Sequence, residues 1–382
     1  MRSDRLGETL LPKRIALPVF ASDALSSVAY APDEIFLTLA VAGGAFATTH
    51  SWQIGLAVVA VMLVVVASYR QNVHAYPSGG GDYEVATVNL GPRAGLTVAS
   101  ALLVDYVLTV AVSISSGVQN AAAALPMVRG HERTVAIALV VLLTAMNLRG
   151  VRESGSAFAI PTYAFIFGIV GMALFGFYQS ATGSLHQAES AKFGLLPEPG
   201  AEGLAGFAMV FLLLRAFSSG SAALTGVEVI SNGVPAFKKP KSRNAATTLL
   251  LMGVISVTML MSIITLVNLT GIKFAEFPDK QLILNGRPVG EAYNQDPIIG
   301  QLSKTIFSDF HLGVVFVAIV TGVILILAAN TAFNGFPVLA SILAKDGYLP
   351  HQLHTRGDRL ALSNGILILA GASIFLIFIY QA

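Results

Sequence analysis

Long apolar blocks recur along this chain at a length that few folds can use. They fall at about 16–43, 53–75, 94–125, 134–149, 157–179, 203–236, 244–271, 312–344 and 360–381. About 20 apolar residues cover the hydrocarbon of a bilayer as an α-helix. Of the 382 residues, 54% are hydrophobic and 12% charged, with a mean hydropathy of +0.72, whereas soluble domains carry about 25% charged residues. A water-soluble fold is excluded, and the chain is predicted to be an all-α integral membrane protein of nine spans that meets the lipid bilayer with its apolar faces.

Cysteine is absent, which removes disulfides, thiolate metal sites and cysteine nucleophiles. The formal net charge of +2 points to no nucleic-acid partner. Arg2, Arg5, Lys13 and Arg14 precede a first block that is too long, and too interrupted by polar residues, for a cleavable signal. With the N-terminus in the cytoplasm, the loops holding Arg70 and Arg93, Arg149 and Arg152, Lys238 to Arg243, and Lys345 to Arg359 are cytoplasmic too, as the positive-inside rule asks. Arg129 and Arg133 run against that rule, and the 272–311 loop is too long for its charges to count. The expected place is the plasma (inner) membrane, multi-pass, N-terminus cytoplasmic. Nine spans leave the C-terminus outside, and the end at Ile379-Tyr380-Gln381-Ala382 carries no polar tail, so the chain reads as cut short.

Three blocks carry polarity at membrane depth, where it is costly and marks pathways. The first contains Phe20-Ala21-Ser22-Asp23-Ala24-Leu25-Ser26-Ser27-Val28-Ala29-Tyr30-Ala31-Pro32-Asp33-Glu34. Asp23, Ser26, Ser27 and Tyr30 stand at i, i+3, i+4 and i+7, one face of a helix broken near its middle. The plainer alternative is a span that starts late, with Asp23 at the interface. The sixth repeats the pattern in Phe217-Ser218-Ser219-Gly220-Ser221-Ala222-Ala223-Leu224-Thr225-Gly226-Val227-Glu228. Interruptions five spans apart point to an inverted-repeat transporter whose site lies at mid-membrane, between the repeats. The third offers Asp105, Tyr106, Thr109 and Ser113, with Asp105, Thr109 and Ser113 at i, i+4 and i+8. Packing by small polar residues accounts for Ser115, Ser116 and Gly117, but not for an aspartate. Arg215, before the sixth-span break, either pairs with an internal carboxylate or snorkels.

Three further motifs resemble the amino acid-polyamine-organocation superfamily. They are Tyr76-Pro77-Ser78-Gly79-Gly80-Gly81-Asp82-Tyr83, Asn147-Leu148-Arg149-Gly150-Val151-Arg152-Glu153, and Asn330-Thr331-Ala332-Phe333-Asn334-Gly335-Phe336-Pro337 leading to Ala344-Lys345-Asp346-Gly347-Tyr348-Leu349-Pro350. Within it, the run from Phe20 to Glu34 looks like the KimA-type potassium uptake transporters of the potassium/proton symport group. The resemblance implies a LeuT-like inverted-repeat bundle with broken first and sixth helices. It implies one transmembrane transporter domain over 1–382, its first repeat at 14–182 and an incomplete second at 203–382. It also implies potassium at Asp23, Tyr30, Asp105, Tyr106, Thr109, Ser113 and Thr225, proton coupling at Glu228, and no cofactor beyond the transported potassium and protons. The family has twelve spans and a C-terminal domain that binds cyclic di-AMP and helps form a homodimer. Neither its last spans nor that domain is in this sequence.

The residues themselves lean toward a cation. Amino acid carriers hold a carboxylate on the amide ends of an unwound, glycine-rich first helix. Here Asp23 occupies the break, and no glycine lies between Phe20 and Pro32. Hydroxyls and free carbonyls can replace the hydration shell of potassium, but oxygen type alone does not separate potassium from sodium or a polyamine, and an amino acid or polyamine permease of the same superfamily is the alternative. Catalysis finds no support. The seven histidines at 50, 74, 131, 186, 311, 351 and 354 form no metal-ligand pair within a span, and residues 78–81 lack the Lys and Ser/Thr of a phosphate-binding loop. For coupling, Glu228 is preferred over Asp105 because it follows Thr225 by three residues and adjoins the break; a fixed Glu228–Arg215 pair is the bland alternative.

Overall fold

The computed structural model describes residues 10–77, 81–149, 155–290, 293–354 and 362–380. Arg2, Arg5, Arg152, Arg356 and Arg359 lie outside the described residues, as do positions 78–80 and 150–153 of two motifs. The helices run α1 (Lys13–Ser27), α2 (Ala31–Ala40), α3 (Gly44–Ala75), α4 (Asp82–Leu90), α5 (Pro92–Ala124), α6 (Glu132–Leu148) and α7 (Gly155–Thr182). They continue as α8 (Gly206–Gly220), α9 (Glu228–Asn232), α10 (Lys241–Thr270), α11 (Pro278–Gln281), α12 (Ile298–Ile306), α13 (His311–Lys345) and α14 (Ser363–Tyr380). Among the described residues, eight helical segments are long and apolar enough to cross a membrane, two of them formed by α1 with α2 and by α8 with α9.

The predicted fourth span is the exception, because α6 has only 17 residues. It nonetheless has to cross. Leu11, before α1, pairs in parallel with Phe237, after α9, and its amide donates to the Ala236 carbonyl at 2.8 Å. The strand β1 (Gly194–Leu195), after α7, pairs antiparallel with β2 (Leu282–Leu284), after α10, which pairs with β3 (Arg287–Pro288). The first contact joins loops of one side only if α6 contributes a crossing, and so does a third, in which the Glu198 amide after α7 donates to the Val41 carbonyl after α2 at 2.9 Å. At 1.5 Å per residue it reaches about 25 Å, within the lower range of spanning helices. Among the described residues nine crossings result, and the small sheet caps the side opposite the N-terminus.

Both predicted breaks are present. The first helix stops at Ser27 and resumes at Ala31, joined by a tight turn in which the Ala29 amide donates to the Ser26 carbonyl at 2.8 Å. Pro32 has no N–H for the Val28 carbonyl, so the helix cannot run through. The sixth passes from α8 into a short 3-10 turn, Ser221–Leu224, then an extended Thr225, then Gly226 at φ +82° before α9. Glycines press this span onto the first. A Cβ on Gly220 would meet Ile35 Cγ1 at 2.6 Å, one on Gly226 would meet Ala24 N at 2.7 Å, and one on Gly233 would meet Phe20 Cε1 at 2.5 Å. As the sixth span advances the first recedes, so the two cross in opposite directions. The outward faces stay apolar and exposed, as at Phe207, Phe211 and Leu214 on α8, which suits lipid.

Among the described residues two large apolar cores form, beside a small one of Phe193, Ala275 and Leu282 at the sheet. One joins α1, α2, α3, α7 and α10 with the first part of α13; the other joins α5, α6 and α14 with the second part of α13. The eighth span, α13, belongs to both, and the first-span break faces the seam between them.

The glycine contact sets a prediction. Gly183 has a left-handed φ of +72° with nothing near its missing Cβ, so Gly183→Ala costs about 1–2 kcal/mol of conformational strain alone. Gly226→Ala adds a clash with backbone and should lower the thermal midpoint of the detergent-solubilised protein clearly more. Equal shifts for the two variants would refute the close crossing.

Candidate functional site

Asp23 sits in the last turn of α1, 4% exposed, with Gly226 of the opposite span against its Cβ. Its surroundings are hydroxyls. Ser26 and Ser27 turn back to donate to the Asp23 backbone carbonyl at 2.7 and 3.2 Å. Ser27 Oγ then meets Thr225 Oγ1 across the crossing at 2.6 Å, and the Tyr30 hydroxyl donates to Ser27 Oγ at 3.0 Å and lies 3.3 Å from Thr225 Oγ1. Thr225 reaches this position because its backbone is extended where the helix has given way. Among the described residues the Asp23 carboxylate has one hydrogen-bonding side chain, Thr331 of α13, whose Oγ1 lies 3.4 Å from Oδ2; Oδ1 is buried with no hydrogen-bond partner.

Of the residues singled out in the sequence, Tyr30 and Thr225 thus meet directly, and Asp23 joins them through Ser27, whose Oγ donates to the Asp23 backbone carbonyl. Tyr106 lies flat on the eighth span, where a Cβ on Gly335 would strike its ring at 2.6 Å. Asp23, Asp105, Glu228 and Asp82 all lie within electrostatic reach of it. Glu228 opens α9, is buried, and feels Asp23 and Asp105. Thr109 and Ser113 are buried on the same third span, α5, with Ser113 Oγ unpartnered, but neither bonds to Asp23 or Thr225. Asp105 is half-buried beside a shallow cleft with Ala101 and Leu108. Arg215 is exposed on α8, and among the described residues no ion pair joins it, or any Lys or Arg, to Asp23, Asp105 or Glu228.

Three participants escaped sequence reasoning. Thr331 was visible only as part of a motif, although a polar Asn330-Thr331 pair within so apolar a helix is itself a signal. Tyr69 donates to Asp82 Oδ2 at 2.7 Å, and Asp82 lines a cleft of about 650 Å³ with Asn72, Tyr76 and Asn89. Burial pushes the Asp82 carboxyl above the usual carboxylate range, offset in part by the Tyr69 hydroxyl. Gly226 is the third, since a glycine in a polar run carries no sign of the neighbour it will touch.

A buried carboxylate beside a hydroxyl cluster, with no basic side chain paired to it among the described residues, has the chemistry to hold a cation. Asp23→Asn replaces that charge by a neutral amide and should raise the thermal midpoint of the cation-free protein. A monovalent cation at 100 times its Kd should stabilise the parent protein by about 2.7 kcal/mol and leave the variant unmoved. A variant still stabilised by the cation would remove Asp23 from the site.

The matching family model is described as amino acid permease and covers residues 20–382. Over 382 residues, 100% of this chain, the sequence is 42% identical to the potassium transporter KimA of Bacillus subtilis (strain 168), of whose length it spans 58%. Crystal structures of a manganese transporter from Eremococcus coleocola align with 95% of this chain and 70% of theirs at 14% identity, with TM-scores of 0.45 and, for a complex with an aromatic bis-isothiourea compound, 0.44. With its spans, its paired breaks and a match running from Phe20 to the last residue, this multi-pass membrane protein belongs to the amino acid permease family.

Proposed function

We propose that this chain is the transport domain of a secondary carrier that takes up potassium by alternating access, coupled to protons. The observation that carries the reading is the Asp23 carboxylate, buried at the crossing with an unpartnered oxygen, in the turn whose backbone carbonyl ties it to the hydroxyl cluster of Ser27, Tyr30 and Thr225. A substrate carboxylate would meet like charge there, whereas a cation gains a charge partner and oxygens that replace its water. The relative named as a potassium transporter supports the choice of ion. Thr331 brings the eighth span to the same carboxylate, so cation binding would draw together elements of both cores, the kind of contact that rocking one against the other makes and breaks.

For coupling, Glu228 is buried within electrostatic reach of Asp23 and Asp105. A cation entering the cluster and a proton leaving it would compete through the same field. The basic side chains Arg70, Arg149, Lys238, Lys239 and Lys345 lie at or just after the C-terminal ends of even-numbered spans, on the N-terminal side, which supports a cytoplasmic N-terminus in the inner membrane. A homodimer and control by cyclic di-AMP would belong to segments beyond this chain.

Uptake assays on the intact protein test the ion. Tyr30→Phe and Asp23→Asn should each reduce potassium uptake about tenfold or more, as loss of a charged or charge-orienting contact of about 1.5–3 kcal/mol would, with membrane insertion unchanged. Uptake of a labelled amino acid in place of potassium would instead support the permease alternative. In reconstituted vesicles, Glu228→Gln should uncouple potassium flux from internal pH change. If it moves protons with potassium at the parental ratio, the coupling role passes to Asp105.

A further inference from the structure

The polar face of the third span does not end at the central site. Ser113, Ser116 and Asn120 continue it along α5 at i, i+3 and i+7, away from the N-terminal side. Each is buried, and Ser113 Oγ, Ser116 Oγ and Asn120 Oδ1 have no protein partner, although the Asn120 amide donates to the Ser116 carbonyl at 2.9 Å. Thr321 of α13 is 0% exposed, and its Oγ1 is unpartnered as well. Buried side-chain oxygens almost always find a partner, so four orphans on two facing helices need an occupant.

Helix geometry brings three of them together. Gly117 and Gly322 form the close approach of the two helices, each within 3.5 Å of the other's carbonyl oxygen by its missing Cβ. The helices run antiparallel, so Thr321, one residue before Gly322, stands about one residue beyond Gly117 in height. That level lies between Ser116, one residue before Gly117, and Asn120, three residues after it, within about 3 Å of each along the axis. At 100° per residue, Ser116 and Thr321 each turn by that angle from the glycine contact, and antiparallel packing sends both to the same side of it. Asn120 lies between that direction and the contact. The helix pair is thus held by glycine backbone, while its polar oxygens are turned into one groove.

We propose that Ser116, Asn120 and Thr321 form a second, outer cation site, with Ser113 the step from it toward Thr109 and Asp23; this rests on the cation-transport reading above. The site takes a monovalent, weakly hydrated cation. Its donors are two hydroxyls and an amide carbonyl, all neutral, matching the dipole coordination used for such ions. A divalent ion would demand carboxylates, and none stands in the set. The acids Asp23, buried, and Asp105, half-buried, further along the path supply the field that draws the cation onward.

Anomalous diffraction from crystals of the intact protein grown with thallium(I) tests the site. Two peaks are expected, one beside Asp23, Tyr30 and Thr225, the other between Ser116, Asn120 and Thr321. Ser116→Ala with Thr321→Val should remove the outer peak and keep the inner one. The same variant should raise the KM of rubidium uptake about tenfold with kcat within about twofold, and Thr321→Ser should restore both. A central peak without an outer one, or ordinary water density in the groove, overturns the outer site and leaves the transport reading standing. No peak at either position overturns both.

Discussion

The structure depends on two broken helices crossing at a point where one has no side chain. Inside a bilayer every interrupted backbone must be satisfied by protein. Ser26 and Ser27 return to the Asp23 carbonyl, Thr225 Oγ1 covers the Ala222 carbonyl at 2.9 Å, and the Ser27–Thr225 contact closes the gap between the spans. Only Gly226, at φ +82° and against Ala24 and Asp23, permits that approach. The interaction that stabilises the crossing also builds the candidate site, since the hydroxyls that replace lost helical hydrogen bonds are those clustered beside Asp23.

Around this crossing the apolar residues divide rather than merge. One core gathers the broken first span with its neighbours, the other holds the third span, and α13 is the wall they share. A site at the seam between two close-packed bodies can open to either side with little disturbance inside each, because packed cores shift as units. The glycine contacts Gly335 with Tyr106 and Gly117 with Gly322 keep α13 tight against the third span. On the first-span side α13 reaches Asp23 through Thr331 at 3.4 Å, a long contact.

Much of this could be read from the sequence. Apolar blocks of bilayer length dictate spans, since nothing else can bury them. Pro32 after Ser27, and Gly220 to Gly226 in a polar run, mark the breaks because proline and glycine act on their own local backbone. Asp23 stood out because a charge in hydrocarbon needs a reason.

Tertiary structure decided the rest. Crossing direction, the height at which Thr225 meets Ser27, and the arrival of Thr331 from more than 300 residues away depend on how helices pack, and pair distances between distant segments leave no mark in local composition. The same holds for Ser116, whose serine in a small-residue run reads as helix packing until the structure turns its oxygen away from the Gly117–Gly322 contact. Even the fourth span, one residue shorter than the 18 of the shortest long span, owes its crossing to two loop contacts on opposite sides of the membrane. A local chain property is written where it acts, whereas a site assembled from four spans exists only once the backbone has been folded to bring them together.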